Sequence, residues 1–533
     1  MSGFRQPEAP REQLVLWKQR LDDAIPVDHP VRHVEYLLRS KAFAKTIAEW
    51  RQDYVLVEGK PPYHPRDLAG LYIYGMLNRI RSSRQLEAAC YNRLDVIWLM
   101  QGQHPDHSTI AEFVKAHRKQ LRALSRDVIN VAVRAGLVSL EHVAVDGSKI
   151  EADAGRKSVH REGTLCSKLA RIDEQIAALE KEWDANEARE KDLFGQQTPW
   201  VPKGSGSDRK RLATMKRQQQ RLKKALASIE RRREESAYSR KPPKPIASDT
   251  DPDSRMMPGK DGSRKPNFTT QVAVDAEHGV IVAEDTSDAT DDSGQLTPML
   301  DQVASNCGRL PDEVSADSQY NTGPELARLE EAGVVGYLPD AGTRSGEKDG
   351  TSAAEQALDK VHRGESLSEA EWQALPRDTT KYISRLAFTY DSSTDTYRCP
   401  AGHRLTVVRR SIDRKKWGTA QRRHYGGCEA CASCEHAGQC CRDPAKGRTV
   451  LRDQHEECRE RLRSRMGEDH GRSRYRLRRQ TVEPRIGQIK HVLGVRRFLR
   501  RGLESVRAEW SLACTTVNVG ILLKHWKEVA AVL

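Results

Sequence analysis

Three carboxylates in this chain stand where they could work together. Asp146 closes the apolar run Val143-Ala144-Val145 in "EHVAVDGSKIEA", Asp317 closes "DEVSAD", and Glu483 interrupts "YRLRRQTVEPRIGQIK". From Gly471 to Arg501 that glutamate is the one acid among ten arginines and one lysine. A solvated, salt-bridged helix would mix the signs. Two carboxylates at neighbouring strand ends repel unless a cation lies between them. Hard oxygen donors of this kind, with water and phosphate, suit Mg²⁺ or Mn²⁺. A strand-ending aspartate also serves ordinary turns, so the reading rests on the three acids together.

The surroundings of Glu483 are cationic on one side. At about 100° per residue, Arg479, Glu483 and Lys490 fall within roughly 40° of one another on a helix. Pro484 lacks an amide donor and disfavours helical geometry in the residue before it. The sequence therefore predicts either a kink at Glu483 or a new helix starting at Pro484.

A second set of donors lies between the acids. Cys399 in "YRCPAGHRL" is followed by "CEACASCEHAGQCC". Cys431-x2-Cys434 has the spacing of a metal knuckle, Cys440 supplies a third thiolate, and Cys399 completes a Cys₄ zinc site. Cys428, Cys441 and His436 are substitutes that spacing alone does not eliminate. Other polar groups read as structural. His104 and His107 suit turn or capping duty, and Asp106 or Ser108 caps the helix that follows. The segment Asp249 to Asp253, "DTDPD", looks like a calcium loop only superficially, because Lys260 stands where a closing acid is needed. A solvated linker is expected there. Asp153 and Asp275 end no strand that leads the fold.

These groups need elements to hold them. Helical apolar spacing in "PVRHVEYLLRS", "PRDLAGLYIYGMLNRI", "SRQLEAACYNRLDVIWLM" and the stretch after Asp106 predicts an all-α domain over 1–138. A strand through Val145 opens the next part, 139–339. It is interrupted at about 165–238 by an antiparallel helical hairpin with a Leu/Ile seam. Paired strands "NFTTQVAVDA" and "GVIVAEDTS", a helix, the strand "DEVSAD", another helix and the strand "VVGYLP" follow. That order is the order of an RNase H-like α/β mixed sheet, in which the first and fourth strands are neighbours. A Cys-rich insertion domain over 340–460 and closing helices over 461–533, the first bearing Glu483, complete the expected architecture.

Composition sets the partner class. At 533 residues the chain exceeds one simple core and suggests about two to four domains. A net charge of +14 favours a polyanion, nucleic acid before an anionic membrane. No apolar run approaches the ~18 residues that span a bilayer, and the opening residues lack a signal-peptide core, so a cytoplasmic protein is expected. Eleven cysteines in a reducing compartment point to thiols or metal ligands.

The sequence resembles the bacterial insertion-sequence transposases with a DDE triad, whose last catalytic helix carries Y-x2-R-x3-E-x6-K. Arg479-x3-Glu483-x6-Lys490 fits, while Tyr475 stands one residue too far upstream. "PDHSTIAEF", "VAVDGSKIEA", "EVSADSQYNTG" and "RRFLRRGLESVRAEWSLACTTVNVGILLK" extend the similarity over most of the chain, toward the group called insertion sequence eleven-eighty-two. The resemblance implies that Asp146, Asp317 and Glu483 hold two divalent ions for in-line phosphoryl transfer. It implies that Arg479 and Lys490 grip phosphates beside the scissile bond, with Tyr475, Arg476, Arg478 and Arg485 also on DNA. The partner would be double-stranded DNA, at element ends and target, bound by a homodimer or larger homo-oligomer. A metal-dependent nuclease of the same fold and a catalytically silent DNA-binding regulator are the alternatives.

Overall fold

Val143, Ala144 and Val145 are fully buried because their strand, His142–Glu151, runs through the middle of a six-stranded sheet. The computed structural model describes residues 20–52, 61–194, 206–236, 244–259, 262–339, 352–378, 381–415, 418–427 and 429–533. On one side the central strand pairs antiparallel with Arg264–Asp275 along its length. On the other it pairs parallel with Glu313–Ser315, which pairs parallel with Val335–Tyr337. The far edge of Arg264–Asp275 carries Arg255–Pro258 and then Ile281–Ser287, both antiparallel. The expected hairpin and both intervening helices, Leu296–Cys307 and Gly323–Glu331, form.

Helix Leu503–Lys524 holds the layers together. It is buried nearly all round because neighbours cover it on every side, and most of its polar groups inside, Asn518 and Thr515 among them, are hydrogen-bonded. Trp510 donates to the carbonyl of Gln271 at 3.2 Å, and Asn518 both accepts from and donates to the backbone of Ile281 at 2.8 Å. The N-terminal helices Pro65–Leu77 and Arg118–Arg134 pack on the same helix, so they share one apolar core with the sheet. Each fully buried Leu, Val or Phe there contributes about 1.5–3 kcal/mol relative to exposure.

The insertion hairpin consists of Glu162–Phe194 and Gly206–Glu235, with Leu165, Ile172 and Ile176 against Leu222, Ala225 and Ile229. The expected seam is present. The "DTDPD" segment corrects the expectation of a solvated linker: Asp251 is wholly buried and Asp253 nearly so. Their carboxylates accept the amides of Gly502 at 3.2 Å and Leu503 at 2.9 Å, satisfying the start of the buried helix. Asp249 is likewise engaged, by Lys168 at 2.7 Å.

A second sheet, ordered Val450–Asp453, Gly418–Gly426, Arg404–Lys415, Thr396–Arg398, Thr389–Asp391, has its own apolar cluster around Trp372, Tyr397 and Tyr425. The acid-bearing helix, Asp469–Gly487, continues unbroken through Pro484 and widens into a π-turn at Gln488–Val492. No new helix begins at Pro484. Its fixed φ suits the helix, and a π-turn is a common way for a helix to absorb a local disturbance of its hydrogen bonding. Among the described residues, no helix is long and apolar enough to cross a membrane.

Candidate active site

Register brings the first two acids together. Ala144 opposite Ser315 is the last parallel pair, and Asp146 and Asp317 each stand two residues beyond it. Asp146 is not the final residue of its strand, as the sequence suggested. The antiparallel ladder continues to Glu151, and only the parallel partner ends here. Below this point a buried network fixes the pairing: His142 contacts Ser315 Oγ at 2.9 Å and Glu313 at 3.1 Å, and Arg474 of the acid helix binds the same Glu313.

The glycine after Asp146 is there for space, not for a turn. A Cβ on Gly147 would collide with the carboxylate of Asp292 and lie 2.9 Å from Gln271 Nε2. Asp292 is a fourth acid that sequence reasoning missed. Gln271 donates to it and accepts from the buried hydroxyl of Tyr320, three residues after Asp317. Burial pushes the Asp292 carboxyl up to about 6, and Asp317 and Asp146 add to the push against the Gln271 bond. Burial also raises Asp146; Arg478 pulls it back, and Asp317 raises it further. The Asp317 carboxylate accepts the Gln319 amide at 2.7 Å. The signal for Asp292 was the Gly147 neighbour of Asp146, which marks a close approach.

Glu483 faces this pair through a guanidinium. Arg478 Nη1 lies 2.8 Å from Asp146 Oδ2, and Nη2 lies 3.9 Å from Glu483 Oε1. The Nη1 contact is a close charge pair that is not aligned as a hydrogen bond, and Arg478 Nε is also buried without a partner. A cation is thus held among the acids by charge more than by directed bonds, where cationic charge is favoured. Tyr475 lies under Arg478, 5.9 Å from ring centre to guanidinium carbon. Arg476 and Arg479 are exposed, and the arginine that joins Asp146 to Glu483 is Arg478, which the resemblance sets only on DNA. Lys490, in the π-turn, binds Ser148 Oγ and the carbonyl of Lys149 on the central strand. Arg485 turns to the hairpin instead, donating to the His278 carbonyl at 2.9 Å.

The cysteines converge elsewhere. Cys399, Cys431, Cys434, Cys440, Cys441 and His436 line one small cavity with Trp372. Among the described residues these cysteines form no disulfide; Cys428 lies outside the described residues. The His403 amide donates to Cys399 Sγ at 3.3 Å across a tight turn containing Gly402 at φ 84°. Cys441 donates to the Ala437 carbonyl at 3.4 Å, and His436 is stacked on Trp372 at 3.7 Å between ring centres. Among the described residues, neither the acids nor the thiols form a group of three or more drawn tightly enough to hold a metal ion. The donor chemistry nevertheless fits: hard carboxylates around a buried cation in one place, and soft thiols around a cavity in the other.

Two family models match the chain. Residues 398–523 match the model described as Transposase DDE domain, and residues 19–116 match the one described as Transposase domain (DUF772). The first match takes in the cysteine cavity, Glu483 and the buried helix; Asp146 and Asp317 lie outside it. No curated protein and no solved structure matches. Together the two matches support an insertion-sequence transposase.

Proposed function

We propose that the chain is a DDE transposase of the Y-R-E-K type, similar to the insertion sequence eleven-eighty-two group, built on an RNase H-like core. The observation that carries this reading is the parallel register that sets Asp146 abreast of Asp317, with Arg478 linking Asp146 to Glu483. Sheet order supports it: the central strand has an antiparallel pair on one side and parallel strands on the other. Tyr475-x2-Arg478 keeps the first spacing of the signature, and the extra residue falls between Arg478 and Glu483.

Asp146, Asp317 and Glu483 would hold two Mg²⁺ or Mn²⁺ ions. Such ions, when bound, supply Lewis acidity at phosphate and a water of lowered pKa. The chain's own part is to position DNA. Tyr475, Arg476, Arg478, Arg479, Arg485 and Lys490 lie on or just after one helix, and its exposed arginines suit phosphates. The helical residues 1–138 serve as the DNA-binding domain, and the region 340–460 is an insertion that carries one structural Zn²⁺. Cys399, Cys431, Cys434 and Cys440 would be its ligands, with Cys428, Cys441 and His436 as the substitutes; the Cys441 contact with the Ala437 carbonyl and the stacking of His436 on Trp372 favour the first four over those two. The partners are terminal inverted repeats and target DNA, engaged by a homo-oligomer in the cytoplasm.

The test is to incubate the full chain and Mg²⁺ with a labelled duplex carrying the inverted repeats that flank its gene, together with a target plasmid. Cleavage at the repeat followed by joining is expected. Cutting without joining would assign a nuclease, and binding without cutting a silent regulator.

A further inference from the structure

The second sheet ends in a ribbon that the acid site does not use. Arg404–Lys415 and Gly418–Gly426 pair antiparallel from Thr406↔Gly426 out to Lys415↔Gly418. The neighbouring strands cover only its base: Val450–Asp453 reaches Arg422, and Thr396–Arg398 pairs with Arg404 and Leu405 alone. Beyond Ser411↔Arg422, among the described residues, the ribbon is two-stranded.

Its two faces differ. Side chains alternate along each strand, so Ser411, Asp413, Arg422 and His424 share one face. That face is closed on itself, by Ser411 with His424 at 2.7 Å and Arg422 with Asp413 at 2.6 Å. The opposite face carries Arg410, Ile412, Gln421 and Arg423, all exposed, with Ile412 at 62%. Arg423 meets Asp395 at 3.1 Å yet remains half exposed, and Gln421 is met at its backbone amide by Gln454 at 2.9 Å. An isoleucine left in water between two arginines adds nothing to the fold, but the set has the composition of a base reader.

The B-DNA major groove admits a two-stranded antiparallel ribbon. Arginine matches the O6 and N7 of guanine, glutamine the N6 and N7 of adenine, and an apolar side chain the thymine methyl. We infer that this ribbon enters the major groove of duplex DNA through the Arg410, Ile412, Gln421 and Arg423 face, giving the protein a second DNA contact remote in sequence from Glu483. Charge complementarity favours DNA over a protein partner: Arg410 and Arg423 put two cations on this face, and none of its four side chains is an acid. The inference rests on DNA as the partner, yet does not require that the acids cut it.

The experiment measures binding of the full chain to a fluorescent mixed-sequence duplex over a salt series, for the parent, Arg410→Ala/Arg423→Ala, Ile412→Ser and Glu483→Gln. The double variant is expected to bind about tenfold weaker or worse across the salt series, because arginines that read base edges supply contact energy beyond the counterion release at phosphates. Replacing thymine by uracil in the duplex should weaken the parent and leave Ile412→Ser unaffected. Parent-like affinity in the double variant throughout the salt series would overturn the inference while leaving the transposase reading intact. A changed oligomeric state with unchanged DNA affinity would overturn it too, by making the ribbon a protein contact. A parent that binds no duplex at low salt would overturn both readings, whereas loss on Glu483→Gln alone would count against the ribbon.

Discussion

The acid site and the cysteine cavity both gather donors suited to metals, but the fold supports them in different ways. Asp146 and Asp317 stand at the end of a parallel ladder whose register is fixed by buried Val143, Val145 and Val314 and by the His142–Glu313–Arg474 network. The thiols stand on turns: Cys399 before Gly402, Cys431 at the end of a three-residue turn, and Cys440 at the end of a four-residue helix. Donors on a ladder keep their places through backbone bonding. Donors on short turns lack that ladder, so under the proposed zinc reading a bound ion would supply part of the folding energy.

Zinc removal should separate the two regions most. The purified, reduced chain is expected to carry about one zinc. Chelation or Cys434→Ser should then speed amide exchange throughout the second sheet by orders of magnitude, while the six-stranded sheet keeps its protection. Zinc-free protein, or equal exchange in both regions, would erase the contrast.

Removing Arg478 probes the acid site by the opposite route. Arg478→Ala leaves Asp146 beside Asp317 without its counter-charge, at a cost of about 3 kcal/mol near neutral pH, the low end for a broken buried pair. Asp146 already has a raised pKa, so its folded form takes up a proton more readily than its unfolded form. As pH falls and Asp146 becomes neutral, the deficit should shrink. Urea unfolding at pH 7 and pH 5 checks this; an equal deficit at both would mean that Arg478 acts by packing alone.

The smallest effect is expected at Asp251, whose burial lifts its carboxyl to about 6. A folded pKa above the unfolded value makes the charged form a liability above pH 6, relieved as pH falls toward the unfolded value near 4. Asp251→Asn should therefore shift Tm relative to the parent by a few degrees more at pH 7 than at pH 4. A pH-independent difference would show that only the Gly502 hydrogen bond matters.

Much of this arrangement was legible in the chain because it follows from local pattern. Apolar runs marked the sheet strands, the Leu/Ile seam marked the hairpin, and strand order implied that Asp146 and Asp317 would meet. Long-range choices were not legible. On a helix Arg478 and Arg479 differ by one step of about 100°, and only the packing of Asp469–Gly487 on the sheet decides which one faces inward. Asp292 sits in a loop with no periodicity, and its place is set by Gln271 and Gly147 on other strands. Asp251 and Asp253 read as linker because their partners are backbone amides some 250 residues away, which carry no side-chain signature.

The central claim is that Glu483 works with Asp146 and Asp317 on a metal, across a guanidinium that DNA and ions would rearrange. Glu483→Gln tests it most directly, since it keeps the size of a half-exposed side chain and removes its charge. Mg²⁺-dependent cleavage of an element-end duplex and binding of the same duplex are measured side by side. Cleavage should fall by about a hundredfold or more while binding is kept, or tightened slightly by the loss of a negative charge. Near-normal cleavage by the Gln variant would contradict the triad.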